Sequence, residues 1–160
     1  MIELIIAFFV FSVLTVLAGG SFEAALSMQR RALNIKRVEE NGRFIMELLA
    51  REIRVANPIN TGDSGCPGPS TLNFQHPVNG LVQYSLSGGQ VHRNVGGADT
   101  IISNPDVEIS RLAFCVSGNS AGDDKQPRVT IILGLKTPGS APDVATIDLQ
   151  ITVSQRGLSD

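Results

Sequence analysis

Three regimes of hydrophobic patterning divide this 160-residue chain. From Ile2 to Ala18 almost every position is apolar, and only Glu3, Ser12 and Thr15 depart from the run. From 21 to 57, a stretch without proline, apolar residues recur every three or four positions: Ala25, Met28, Ala32, Ile35, Val38, Gly42, Ile45 and Leu49. Such stepping is the stripe of an amphipathic helix with one buried face. Beyond Pro58 the period shortens to two, the mark of strands. The pattern predicts an α+β chain. A long N-terminal helix over 1–56 has a protruding apolar half, and its C-terminal half packs against an antiparallel β-sheet. An αβ loop fills 57–70 and the β-sheet head occupies 71–160.

The apolar run is about 25 Å long at 1.5 Å per residue, just short of a ~30 Å hydrocarbon core. A cleaved secretory signal needs a basic start and a small-residue cleavage site. Here the start is acidic, and Leu17-Ala18-Gly19 matches such a site poorly. A plain membrane anchor leaves Glu3 without a purpose. A charged side chain costs roughly 2.5–3.5 kcal/mol at the centre of a span and less near its end. A carboxylate in that position calls for a partner, and the α-amino group of a neighbouring copy is a natural one. A charge satisfied only by a second copy acts as a register device for self-assembly.

Gly19 and Gly20 follow the run, and each interior glycine costs a helix about 0.8–1 kcal/mol relative to alanine. Two uses are open: close packing of small residues between helices in a membrane, or a weak point at 17–21 that unwinds. The faces away from the stripe carry the charges, among them Arg30, Lys36, Glu39, Arg43, Glu47, Arg51, Glu52 and Arg54. Glu39–Arg43 and Glu47–Arg51 stand four apart in the favourable order. Pro58 disfavours helical geometry just before it and ends the helix at Ala56 or Asn57. An unbroken helix over 1–56 would be about 84 Å long, too long for a head of this size to bury. Half of it needs lipid or further copies as cover.

Loop chemistry fills 57–70, and strands are expected at 71–74, 81–86, 90–94, 108–116, 128–137 and 146–155, with a short edge at 101–102. Ser87-Gly88-Gly89 reads as a hairpin turn. Ile147, Leu149, Ile151 and Val153 alternate with Asp148, Gln150, Thr152 and Ser154, as in an antiparallel sheet with one solvated face. The buried face would lie on Ile45, Leu48, Leu49 and Ile53.

Composition adds little to this picture. At 42% hydrophobic with a formal net charge of −2, the chain shows no basic bias toward nucleic acid. His76 lies in a turn beside Pro77, and His92 lies on a hairpin strand, outside any nucleophile or metal motif. The glycines at 62, 65, 96 and 97 lack the strand-to-helix setting of a phosphate cradle. Asp123-Asp124 reads as a solvated loop, since a calcium site needs six or more oxygens. No enzyme activity, cofactor or metal is expected.

The early Glu3 in Ile2-Glu3-Leu4-Ile5-Ile6, the apolar run behind it, the long helix and the β-rich remainder together resemble the mature N-terminus and architecture of type IV pilins and pseudopilins. The head is loosely similar to those of pseudopilins and minor pilins. In that family the glutamate has four residues ahead of it, whereas here it has Met1 and Ile2. Either two residues precede Met1 in the mature subunit or the subunit is processed at an unusual place. The resemblance implies a structural subunit that polymerises into a helical filament. Glu3 and the Met1 amine would set register, and Ile2, Leu4, Ile5, Ile6, Phe8, Phe9, Phe11, Leu14 and Leu17 would pack the filament core. It also favours melting at Gly19 and Gly20. The implied partners are further copies of the chain, the membrane, a prepilin peptidase and the pilus assembly machinery. The subunit would wait in the cytoplasmic membrane and end in a fibre at the cell surface. Alternatives are a low-copy minor or tip pseudopilin and a monomeric membrane-anchored binding module. In an oxidising compartment the two cysteines, Cys66 and Cys115, favour a disulfide; in the cytosol they would be free thiols.

Overall fold

In the computed structural model, residues 2–120, 125–139 and 144–156 are described. Met1, Asp123 and Asp124 lie outside them. A single helix, α1 (Ile2–Val55), precedes seven strands among the described residues: β1 (Thr71–His76), β2 (Gly80–Ser87), β3 (Gln90–Val95), β4 (Ala98–Ile101), β5 (Glu108–Ser117), β6 (Arg128–Lys136) and β7 (Thr146–Ser154). The architecture is α+β. The helix runs unbroken through Gly19 and Gly20 in the isolated chain, away from any filament. Two glycines cost less than the hydrogen bonds that an interrupted helix would forfeit in its middle.

The strands form two antiparallel sheets rather than one, a four-stranded sheet in the order β1-β2-β3-β4 and a three-stranded sheet in the order β5-β6-β7. Strand periodicity cannot reveal this division, because each strand alternates in the same way whichever sheet it joins. Consecutive strands are neighbours throughout, and the break falls in the 102–107 connection. There Ile102 N–H bonds Val91 O, and Val91 N–H bonds the Ser103 hydroxyl. The short edge foreseen at 101–102 lies earlier: β4 follows directly on Gly96-Gly97 and shares only Ile101 with that expectation.

The helix lies chiefly on β7 and β6. Val38, Ile45, Leu49 and Ile53 are fully buried against a core that includes Phe74, Tyr84, Phe114, Ile131, Leu133 and Leu135. Gly42 lets the helix approach the sheet closely, since a Cβ there would stand 2.6 Å from Leu149 Cδ1 and 3.2 Å from Leu135 Cδ1. The helix stops at Val55, and its last carbonyls find partners from the far end of the chain. Arg156 N–H donates to Arg54 O at 2.9 Å, and the buried Gln155 side-chain amide donates to Ala56 O. Orphan carbonyls at a helix end need such donors.

Cys66 and Cys115 form a disulfide with Cα atoms 5.3 Å apart. It fastens the αβ loop to the outer edge of β5, where that loop mimics a further strand. Ser64 N–H bonds Val116 O, Phe114 N–H bonds Pro69 O, and the Ser64 hydroxyl bridges Phe114 O and Val116 N–H. The edge of β5 is thereby covered, as an unpaired sheet edge must be.

Candidate assembly surface

Residues 2–33 of α1 are all exposed. The apolar run therefore stands free of the head: Ile2, Leu4, Phe8, Phe9, Phe11 and Leu17 are each 63–73% exposed, and Ile5, Ile6 and Leu14 are exposed with them. Because the helix continues through the glycines, the apolar length extends from Ile2 to Phe22, interrupted only by Glu3 and small residues. That is about 31 Å, a full match to a ~30 Å bilayer core and longer than the run to Ala18 alone. One helix is thus long and apolar enough to cross a membrane, and none of that window is buried within the chain.

Polar groups inside the run are nearly all satisfied locally. Ser12, Thr15 and Ser21 donate their hydroxyls to the carbonyls of Phe8, Phe11 and Leu17 four residues back, at 2.8, 2.8 and 3.0 Å. Lipid supplies no hydrogen bonds, so this back-bonding removes their cost. Glu3 differs: among the described residues none pairs with it. It stands in the first turn, where the helix dipole favours an anion. Its proposed partner Met1 lies outside the described residues.

Above the run, the amphipathic stripe changes cover without changing course. Ala25, Met28, Ala32 and Ile35 are exposed, while Val38, Gly42, Ile45 and Leu49 continue the same line beneath the head. The head therefore shields only the upper half of one continuous apolar face. The flanking charges form exposed i,i+4 pairs, Lys36–Glu40 at 3.6 Å, Glu39–Arg43 at 3.2 Å and Glu47–Arg51 at 3.5 Å. Solvated pairs of this kind stabilise little.

Glu52 departs from the face expected for it. Instead of lying among the solvated charges it is buried at 8% exposure. It accepts two bonds from Arg93, Nη2 to Oε1 at 2.6 Å and Nε to Oε2 at 3.2 Å, and a third from the Tyr84 hydroxyl at 2.6 Å. Burial, and next the hydrogen bond to this carboxylate, push the Tyr84 phenol well above its ordinary range. The triad ties α1 to the four-stranded sheet. Spacing held the clue: Glu52 is seven residues beyond Ile45, on the stripe, and Arg93 shares its inward parity with Val91 and Val95.

The cysteines meet, whereas the histidines stay apart. His76 Nδ1 accepts the N–H groups of Val78 and Asn79 and closes its own turn. His92 Nδ1 lies 2.6 Å from Asp99 Oδ2 on the outer face of the first sheet. No cluster of three or more metal-ligating side chains occurs among the described residues. Compared with protein families, curated proteins and solved structures, the chain finds no match.

Proposed function

We propose that this protein is a structural subunit of a type IV pilus-like filament, held in the cytoplasmic membrane by its apolar helix until it is assembled. The observation that carries this reading is the single uninterrupted helix whose apolar face is covered by the head above Val38 and bare below it. A bare face of that length needs lipid or copies of itself, and a filament supplies the second in place of the first. Moving from lipid to a helix-packed core gains little hydrophobic energy, because lipid tails are as apolar as the side chains. Packing and polar pairing then decide assembly, which gives the lone Glu3 its role. Among the described residues it has no cation; beside a neighbour's N-terminal amine it is offset and fixes the axial step. Prepilin peptidase and the assembly machinery are the partners this reading entails, and the surface fibre is its destination. Unwinding at Gly19 and Gly20 on leaving the bilayer belongs to the same proposal.

The test pairs electron microscopy of material sheared from cells with mass spectrometry of its N-terminal peptide. Filaments built of this chain are expected, and Glu3→Ala is expected to insert into membranes normally yet yield few filaments. Normal filament yield from that variant removes the register role. Recovery of the chain solely as a membrane-bound monomer replaces the filament subunit with an anchored binding module. Trace amounts in filaments built of another protein identify a minor or tip subunit.

A further inference from the structure

The outer face of the four-stranded sheet carries an unusual set of side chains. Register places Asn73 opposite Gln83, Gln83 opposite Asn94, and Asn94 opposite Asp99, so one straight row crosses all four strands. The adjoining row sets Thr71 opposite Ser85 and Ser85 opposite His92. No lysine, arginine or glutamate stands in either row. Asp99 is the sole carboxylate there, and His92 holds it at 2.6 Å. The second sheet shows the contrast: its outer face is laced with Glu108–Lys136 at 3.0 Å and Arg111–Asp148 at 4.0 Å.

The amides of the first row also retain hydrogen-bonding capacity. Among the described residues the side chains of Asn73, Gln83 and Asn60 make no hydrogen bond. Asn94 spends only Oδ1, on Gly97 N–H at 3.0 Å. These groups line a shallow depression of about 480 Å³ whose apolar floor is Leu81, 54% exposed, with Gly96 and Gly97 leaving its rim open.

We propose that this depression and its amide row bind a neutral glycan chain. Carboxamides offer a donor and an acceptor side by side, the complement of adjacent sugar hydroxyls, and the lining of the depression itself carries no charge, Asp99 standing beyond it at the end of the row. Neighbouring strands stand about 4.8 Å apart, near the width of one pyranose ring, so the row presents one amide per sugar. Leu81 meets the C–H face of a ring, and Asp99 accepts from a hydroxyl while His92 holds its carboxylate in place. The site belongs to the head alone and is independent of whether the chain polymerises.

The test uses the full chain in a sugar-free detergent, followed by amide NMR. Probes are neutral hexasaccharides of β-1,4-linked glucose and of β-1,4-linked N-acetylglucosamine. Saturable shifts are expected on the side-chain amides of Asn73, Gln83 and Asn94 with at least one probe, with dissociation constants in the millimolar range. Asn73→Ala combined with Gln83→Ala should weaken binding about tenfold, the worth of one or two hydrogen bonds. Gln83→Glu, which keeps the shape and adds a charge, should weaken it as well. No saturable shift with either sugar up to about 10 mM, or shifts centred elsewhere, overturns the proposal. So does unchanged affinity in variants whose remaining spectrum is native.

Discussion

Glu52 on the helix and Arg93 on β3 meet through two hydrogen bonds, at 2.6 and 3.2 Å, in a site where Glu52 is almost wholly removed from water. Glu52→Ala leaves the guanidinium and the Tyr84 hydroxyl without their acceptor. Losing one partner of a buried pair costs roughly 3–5 kcal/mol, and the partial exposure of Arg93 puts the expected loss at the low end. Urea denaturation of the detergent-solubilised protein measures it. A change below about 1 kcal/mol would mean that the pair acts as a surface bridge.

Tyr84 is the chain's one tyrosine, so phenolate absorbance reports it alone. Its phenol is raised above the ordinary value of 10.0 by burial and then by the Glu52 carboxylate. A folded value above the unfolded one contributes stability that is complete below about pH 10 and is lost as pH rises beyond it. The native protein should show no ionisation step near pH 10, and the signal should arrive only with alkaline unfolding. A normal step at pH 10 in folded protein contradicts the buried triad.

The disulfide closes a loop with a sequence separation of 49. In the chain-entropy account such a bridge stabilises by about 4 kcal/mol. Cys66→Ala with Cys115→Ala should lower the denaturation midpoint accordingly, and reductant should no longer affect it. Gly68→Ala tests the same junction by shape, because a Cβ there would lie 1.9 Å from Phe114 O. The loop must lift from β5, so bridge formation should slow and Phe114 N–H should exchange faster.

Asp63 fastens the other end of that loop by accepting Asn119 N–H and the Ser120 hydroxyl, each at 2.8 Å. These bonds, the backbone one foremost, hold its carboxyl below the usual 3.8. A depressed value means the tether is complete above about pH 4 and is lost as pH falls through the folded value. In an NMR titration, the Asp63 carboxyl and the Asn119 amide should move together at a midpoint below 3.8. Separate midpoints would show that the two are not coupled.

At Gly19 and Gly20 an added Cβ would meet nothing within 4 Å. Alanine at both positions should strengthen the helix by about 0.8–1 kcal/mol per site without disturbing the monomer. If filament entry requires unwinding there, insertion will be normal and filament yield will fall. Equal yield would assign the glycines to close helix packing instead.

The sequence by itself determined the local elements, because each rests on a periodicity written in consecutive residues. The stripe from Ala25 to Leu49 and the alternation from Ile147 to Val153 announced a helix and a strand that the fold contains. Pro58 set the end of the helix to within a few residues, through sterics that act on the immediate neighbour. The apolar run with its lone Glu3 was equally legible, since lipid compatibility depends on composition and length. Only the tertiary structure decided how distant segments share cover. It divided the strands into two sheets, because an antiparallel strand carries no mark of which neighbour it will meet. It drew Glu52 inward, because a carboxylate on a buried stripe is tolerable only where another element brings an arginine and a phenol to it. It gave the helix end its donors from Gln155 and Arg156, about a hundred residues away in the chain. The passage of the helix unbroken through two glycines stayed a local matter, since nothing packs there and the local penalty is smaller than the cooperative cost of a break.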